Sequence, residues 1–140
     1  MEQFKLQFKG FEVTKIVFDR DASVKAGNFN VDIQHIGQVQ ENDKKKFRTI
    51  FVVTIISPAE PLFNFQVQAV GDFEIIGDPE EKIYTNFINI SAPSIVYPYI
   101  RTFISTTMLQ SGVQPVIIPP LNFGAMPPAK AITEPITEKK

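Results

Sequence analysis

The chain has 140 residues, 14 basic and 15 acidic side chains for a formal net charge of −1, and 44% hydrophobic against 21% charged residues. That length suits one domain around a single core, and the composition excludes both a fibrous repeat and disorder throughout. Near-neutral charge gives no basis for nucleic acid or an anionic membrane as a partner, and the absence of Cys removes disulfides, thiolate chemistry and zinc-finger spacing together. The longest apolar run, IFVVTII, falls short of a membrane span, and MEQFKLQFKG lacks the apolar centre of a signal peptide, so a cytoplasmic chain without membrane insertion is expected.

Phe4, Leu6 and Phe8, then Phe11 and Val13, then Ile16 and Phe18 make short alternations that predict a first strand with a phase change near Gly10. After the polar turn DRDASVKAGN, Phe29, Val31 and Ile33 alternate with Asn30, Asp32 and Gln34 in a second strand with one apolar face. KFRTIFVVTIIS is apolar on both parities and β-branched, which predicts a central strand, the most buried, covered on both sides. In the fourth strand Phe63, Phe65, Val67, Ala69, Phe73 and Ile75 face one way, toward the core, and Asn64, Gln66, Gln68, Asp72 and Glu74 the other. Turn-length connections predict that these four strands form an antiparallel meander.

At DPEEKIYTNFINI the period becomes helical, with Asp78 as the expected N-cap and Pro79 at the first helical position. Val96, Ile100, Phe103, Ile104 and Met108 then recur at helical spacing from Pro93 to Gln110, and Gly112 is placed to end that helix. The expected class is therefore α+β: a four-stranded antiparallel meander with a short and a long helix on one face. One domain is expected over 1–126, with a disordered, proline-punctuated tail over 127–140.

Catalytic chemistry is scarce. The single histidine, His35, has no partner signature, and Glu80 and Glu81 are explained by a helix start. Without metal-ligand spacing or a glycine-rich phosphate loop, the reading is a non-enzyme that needs no cofactor or metal. What remains is the segment Val113–Pro128, strongly apolar but carrying five prolines. It can complete neither helix nor inner strand, which suits it to form the wall of a groove or to meet a second subunit.

The run APSIVYPYIRTFISTTMLQSGVQPVIIPPLNFGAM resembles the C-terminal half of the SecB family of protein-export chaperones. Pro93, Ile95, Tyr97, Pro98, Tyr99 and Arg101 match its helix motif, Gly112 and Pro115 its turn, and Pro120, Asn122, Phe123 and Ala125 its last motif. FQVQAVGDFEIIG and FEVTKIVFDRDASVKAG are similar to the family's fourth and first strands. The resemblance implies a cytosolic, homotetrameric holdase, a dimer of dimers, that binds unfolded polypeptides in hydrophobic grooves and passes them to the ATPase SecA. By position it implies groove residues Phe29, Val31, Ile33, Ile117, Ile118, Leu121, Phe123 and Met126, and a SecA contact at Asp21.

Three features depart from the family pattern. The connection around Gly27 is short, Pro127 and Pro128 stop the helix that should follow Met126, and Lys25 and Gln66 stand where further docking acids belong. These departures count against docking to SecA, yet a general export holdase is still the expected function. The alternatives are a SecB-like chaperone dedicated to one client, such as an antitoxin, or an adaptor module.

Overall fold

The computed structural model describes residues 3–125 and 130–134. Four antiparallel strands run in chain order, β1 (Lys5–Arg20), β2 (Asn30–Gln40), β3 (Lys46–Ile56) and β4 (Phe63–Ile76). A helical stretch follows as α1 (Glu81–Asn86), one π-helical segment (Phe87–Ser91) and α2 (Ala92–Gln110), and a last strand β5 (Lys130–Glu134) ends the described chain. The class is α+β, as expected.

The sheet order is β1-β4-β3-β2-β5. Strands β2, β3 and β4 form the expected meander, whereas β1 lies beside β4 instead of β2. Its sixteen residues supply the reason: among the described residues β4, at fourteen, is the longest strand available, and it pairs β1 from Lys5↔Ile76 to Arg20↔Phe63. The register slips at Lys9 and again at Thr14, which places the predicted phase change next to Gly10. Strand β5 corrects the expectation of a disordered tail for these five residues, since they run parallel to Ile36–Gln40. An edge strand recognises a neighbour through backbone groups, so a segment with little to bury can still pair. The rest of the expected tail lies outside the described residues.

The core lies on one face of the sheet. Phe63, Phe65, Val67, Ala69, Phe73 and Ile75 of β4 are buried there as the alternation predicts, opposite Phe47, Phe51, Val53 and Ile55 of β3. The second face of β3 (Arg48, Ile50, Val52, Thr54) is only half covered, contrary to expectation, and β4 is the more buried strand because Val70 on its second face is buried as well as every position of its first. Glycines let the helical layer approach closely: a Cβ on Gly71 would run into Val96 of α2, and one on Gly37 would stand 2.7 Å from Ile88 of the π segment.

The helix starts later than predicted. Glu80 is the N-cap, without a side-chain cap, while Asp78 accepts an ion pair from Lys45 at 2.9 Å. The π segment precedes Pro93, whose ring crowds the carbonyl four residues back; the wider i→i+5 turn, closed by Ala92 N–H on the Phe87 carbonyl, relieves that crowding. At the other end the Val113 N–H donates to the Met108 carbonyl (2.9 Å) and Gly112 N–H to that of Leu109 (3.2 Å), with Gly112 at φ +84°. This paired closure, with Val113 and Met108 both buried, is the Schellman arrangement that a glycine permits and that turns the chain off the helix at a fixed angle.

Candidate functional site

Beyond Gly112 the chain becomes extended, because Pro115, Pro119 and Pro120 withhold the amide donors that a helix or inner strand needs. It is nevertheless fastened. Gln114 N–H donates to the Lys25 carbonyl at 2.7 Å, which joins the segment to the β1–β2 connection. Arg20 sends one Nη to the Val24 carbonyl and the other to that of Ser111 at 2.8 Å, binding the same connection to the end of α2. Further along, the Tyr97 hydroxyl donates to the Pro119 carbonyl, and Phe123 packs edge-on against the rings of His35, Phe51 and Tyr97.

Between these fastenings the segment forms a raised lip with a cleft on either side. On the α2 side a cleft of about 520 Å³ is lined by Pro98, Arg101, Thr102, Ser105, Thr106 and residues Pro115 to Ile118. Toward the β1–β2 connection another, of about 530 Å³, is lined by Ala26, Gly27, Asn28, Phe29 and Gln114 to Ile117. Ile117 stands between them and is 89% exposed, the most exposed large hydrophobic side chain among the described residues. Arg101 is the single charged residue lining the two clefts, so electrostatic selection is small; apolar contact is offered mainly on the α2 side, since the other cleft also presents Asn28 and Gln114.

The residues expected from sequence to line a groove divide into three groups. Phe29 and Ile117 share a cleft, and Phe29 also stacks on Phe63 with centroids 4.4 Å apart. Val31, Ile33 and Leu121 are half-buried against the core. Ile118 and Phe123 are each only 4% exposed, members of the core itself, although Ile118 still forms part of the cleft on the α2 side. Met126 lies outside the described residues.

Pro115 and Val116, within the segment expected to wall a groove, also line the clefts, as do the helix residues Thr102 and Thr106, which were not anticipated. Nothing in their sequence pattern signals this, because the face that α2 turns to the segment depends on the angle set at Gly112. Asp21 is exposed. Its carboxylate accepts from the Ser23 hydroxyl (2.6 Å) and amide (2.9 Å), and these bonds hold it below the usual carboxylate range. Lys25 is exposed four residues on, and Gln66 is half-buried and donates to Asn64 Oδ1 at 3.2 Å. His35 is half-buried between aromatic rings, and that burial lowers its pKa.

Among the described residues no group of His, Asp or Glu could hold a metal ion, and no helix is long and apolar enough to cross a membrane.

Comparison with known proteins agrees with this architecture. The family model described as preprotein translocase subunit SecB matches residues 11–131. The chain is similar to an uncharacterized protein of Methanocaldococcus jannaschii, 30% identical over 96% of this chain and 91% of that one. It is similar also to the protein-export protein SecB of Chromobacterium violaceum, 28% identical over 89% of each. Among solved structures it is similar in fold to a SecB-like chaperone of Mycobacterium tuberculosis in complex with a ChAD peptide from the HigA1 antitoxin. That likeness has a TM-score of 0.65 at 13% identity and covers 84% of this chain and 90% of the other.

Proposed function

The chain belongs to the SecB family, and from that premise we propose that it is an ATP-independent holdase of the cytoplasm. It captures unfolded stretches of polypeptide by apolar contact along the lip at residues 114–118 and releases them without chemistry. The observation that carries this reading is Ile117, held 89% exposed on a proline-stiffened segment between two almost uncharged clefts. A large aliphatic side chain kept in water on a fastened backbone makes sense as a contact for something absent from the protomer. Preorganisation also lowers the entropic cost of each weak contact, so that many of them along an assembled tetramer add up to useful affinity.

A dedicated-client form of this chaperone is favoured by one further observation. The surface around Asp21 carries Lys25, and Gln66 is turned to Asn64, so the docking acids that SecA would need are largely missing. The peptide-bound structural neighbour lends support to the same variant.

The deciding experiment measures light scattering from several unrelated, chemically unfolded proteins diluted into buffer with and without the protein, alongside its native mass. Broad suppression by an oligomer supports a general holdase and suppression of one client supports the dedicated form. No suppression of any client would sink both. Ile117→Asp should abolish the effect while leaving the far-ultraviolet circular dichroism unchanged.

A further inference from the structure

Strand β2 has one edge paired with β3 along almost its whole length, from Asn30↔Ile56 to Val39↔Phe47. Its other edge is paired only in the second half, where Ile36–Gln40 lie parallel to Lys130–Glu134. Among the described residues no strand lies against Asn30–His35 on that edge. The open half directly follows Phe29, which lines the cleft beside Ile117.

The strand that covers the second half is built to hold weakly. It spans five residues and runs parallel to its neighbour in an otherwise antiparallel sheet, a pairing slightly less stable per residue. Pro127 and Pro128 precede it in sequence and Pro135 follows, and none of the three can donate to a ladder.

We infer that the outer edge of β2 is a docking site for an extended stretch of unfolded polypeptide, and that Lys130–Glu134 is its resident occupant, displaced when a client pairs along the whole edge. The inference rests on the holdase reading. Backbone N–H and C=O groups of an edge strand recognise any extended chain whatever its sequence, which matches a partner defined only by being unfolded. Because the resident strand is tethered, its effective concentration is on the order of millimolar, and a client entering beside Phe29 must compete with it before reaching Gln40. The apparent dissociation constant is then the intrinsic one divided by the fraction of molecules in which the strand is undocked.

The test uses the full chain carrying Ala131→Pro and Ile132→Pro together. Successive amides of a strand point to opposite sides, so the pair removes one ladder donor whichever residue faces β2. Binding of fluorescein-labelled, reduced and carboxymethylated α-lactalbumin is followed by anisotropy, and hydrogen exchange is followed at the amides of Ile36–Gln40. The double variant should bind about tenfold tighter, as for a strand docked nine-tenths of the time, with faster exchange that slows again when the probe is bound. Equal or weaker binding by the folded variant overturns the inference and leaves the holdase reading standing. If neither protein binds the probe, the holdase reading fails and the inference falls with it. Should the variant not fold, a synthetic peptide spanning Pro128–Pro135 provides the second measurement: at millimolar concentration it should displace the probe from the wild-type protein, and failure to do so overturns the inference.

Discussion

Tyr97 on α2 donates its hydroxyl to the carbonyl oxygen of Pro119, which joins the long helix to the extended segment across 22 residues of chain. Burial raises the phenol pKa, so the group remains a neutral donor at physiological pH. Tyr97→Phe keeps the ring against Phe51 and Phe123 but leaves the Pro119 carbonyl without this donor. Pro119 is exposed, so water can replace the donor and the loss is the net worth of an ordinary hydrogen bond, about 0.5–1.5 kcal/mol, which should lower the calorimetric Tm by a few degrees. Limited proteolysis should cut the segment sooner in the variant. An unchanged Tm would show that the hydroxyl contributes nothing to holding it.

The close approach of the helix to the sheet makes a second prediction. A Cβ at Gly71 would overlap the Val96 side chain, so Gly71→Ala should destabilise the protein by about 1–3 kcal/mol, the usual cost of overpacking a core. Shortening the obstacle should relieve it. In a cycle with Val96→Ala, the double variant should be less destabilised than the sum of the singles, with a coupling of about 0.5–3 kcal/mol for residues in contact. Urea unfolding of all four proteins measures the coupling, and strict additivity would mean that the helix simply shifts aside.

These two relationships mark where the sequence was readable and where it was not. Period-two alternation located β2 and β4 and named the core residues of β4, because a half-buried strand must write its burial into alternate positions. Gly112 announced the end of α2 for an equally local reason, the left-handed turn that only glycine takes freely. The pairing of β1 with β4 was hidden, since a strand's own pattern shows which face is buried but not which neighbour it has. β5 left no legible pattern, because KAITE is too short for a clear alternation and pairs through its backbone in a stretch otherwise marked by prolines and charge. In the site, proline content correctly flagged an extended apolar segment, whereas the division between Ile117 outside and Phe123 inside could not be read. An extended chain without regular hydrogen bonding has no fixed period, so sequence alone does not say which side chain turns inward.

That division can be tested with two residues of one segment. Phe123 is 4% exposed and touches three aromatic rings, so Phe123→Ala should cost about 3–5 kcal/mol, as for a large aromatic removed from a core. Ile117→Ala should change stability by less than about 0.5 kcal/mol, as for a surface substitution. Client capture should respond in the opposite sense, with a several-fold loss for Ile117→Ala measured at a temperature where both variants are folded. A stable Phe123→Ala protein that fails only in capture would show that this ring opens to the client, contrary to the packing described above.

His35 links β2, which begins just after Phe29, to this segment, stacked on Phe51 with centroids 5.5 Å apart and meeting Phe123 at 5.1 Å. Its Nδ1 is buried without a hydrogen-bond partner among the described residues. Burial disfavours the imidazolium and lowers the pKa from 6.5. The unfolded chain therefore takes up the proton first as pH falls, and stability from this group, complete above the unfolded value, is lost through that value until the folded pKa is passed. The lowered pKa of Asp21 acts in the same direction but only near and below the ordinary carboxylate value of 3.8, outside this window. Wild-type protein should thus unfold at lower urea concentration at pH 5.5 than at pH 7.5, whereas His35→Gln, which cannot take the proton, should show a smaller difference. Parallel curves for the two proteins would remove His35 from the account. A steeper wild-type curve would mean that protonation loosens the seat of Phe123, and with it the inner end of the segment that carries Ile117.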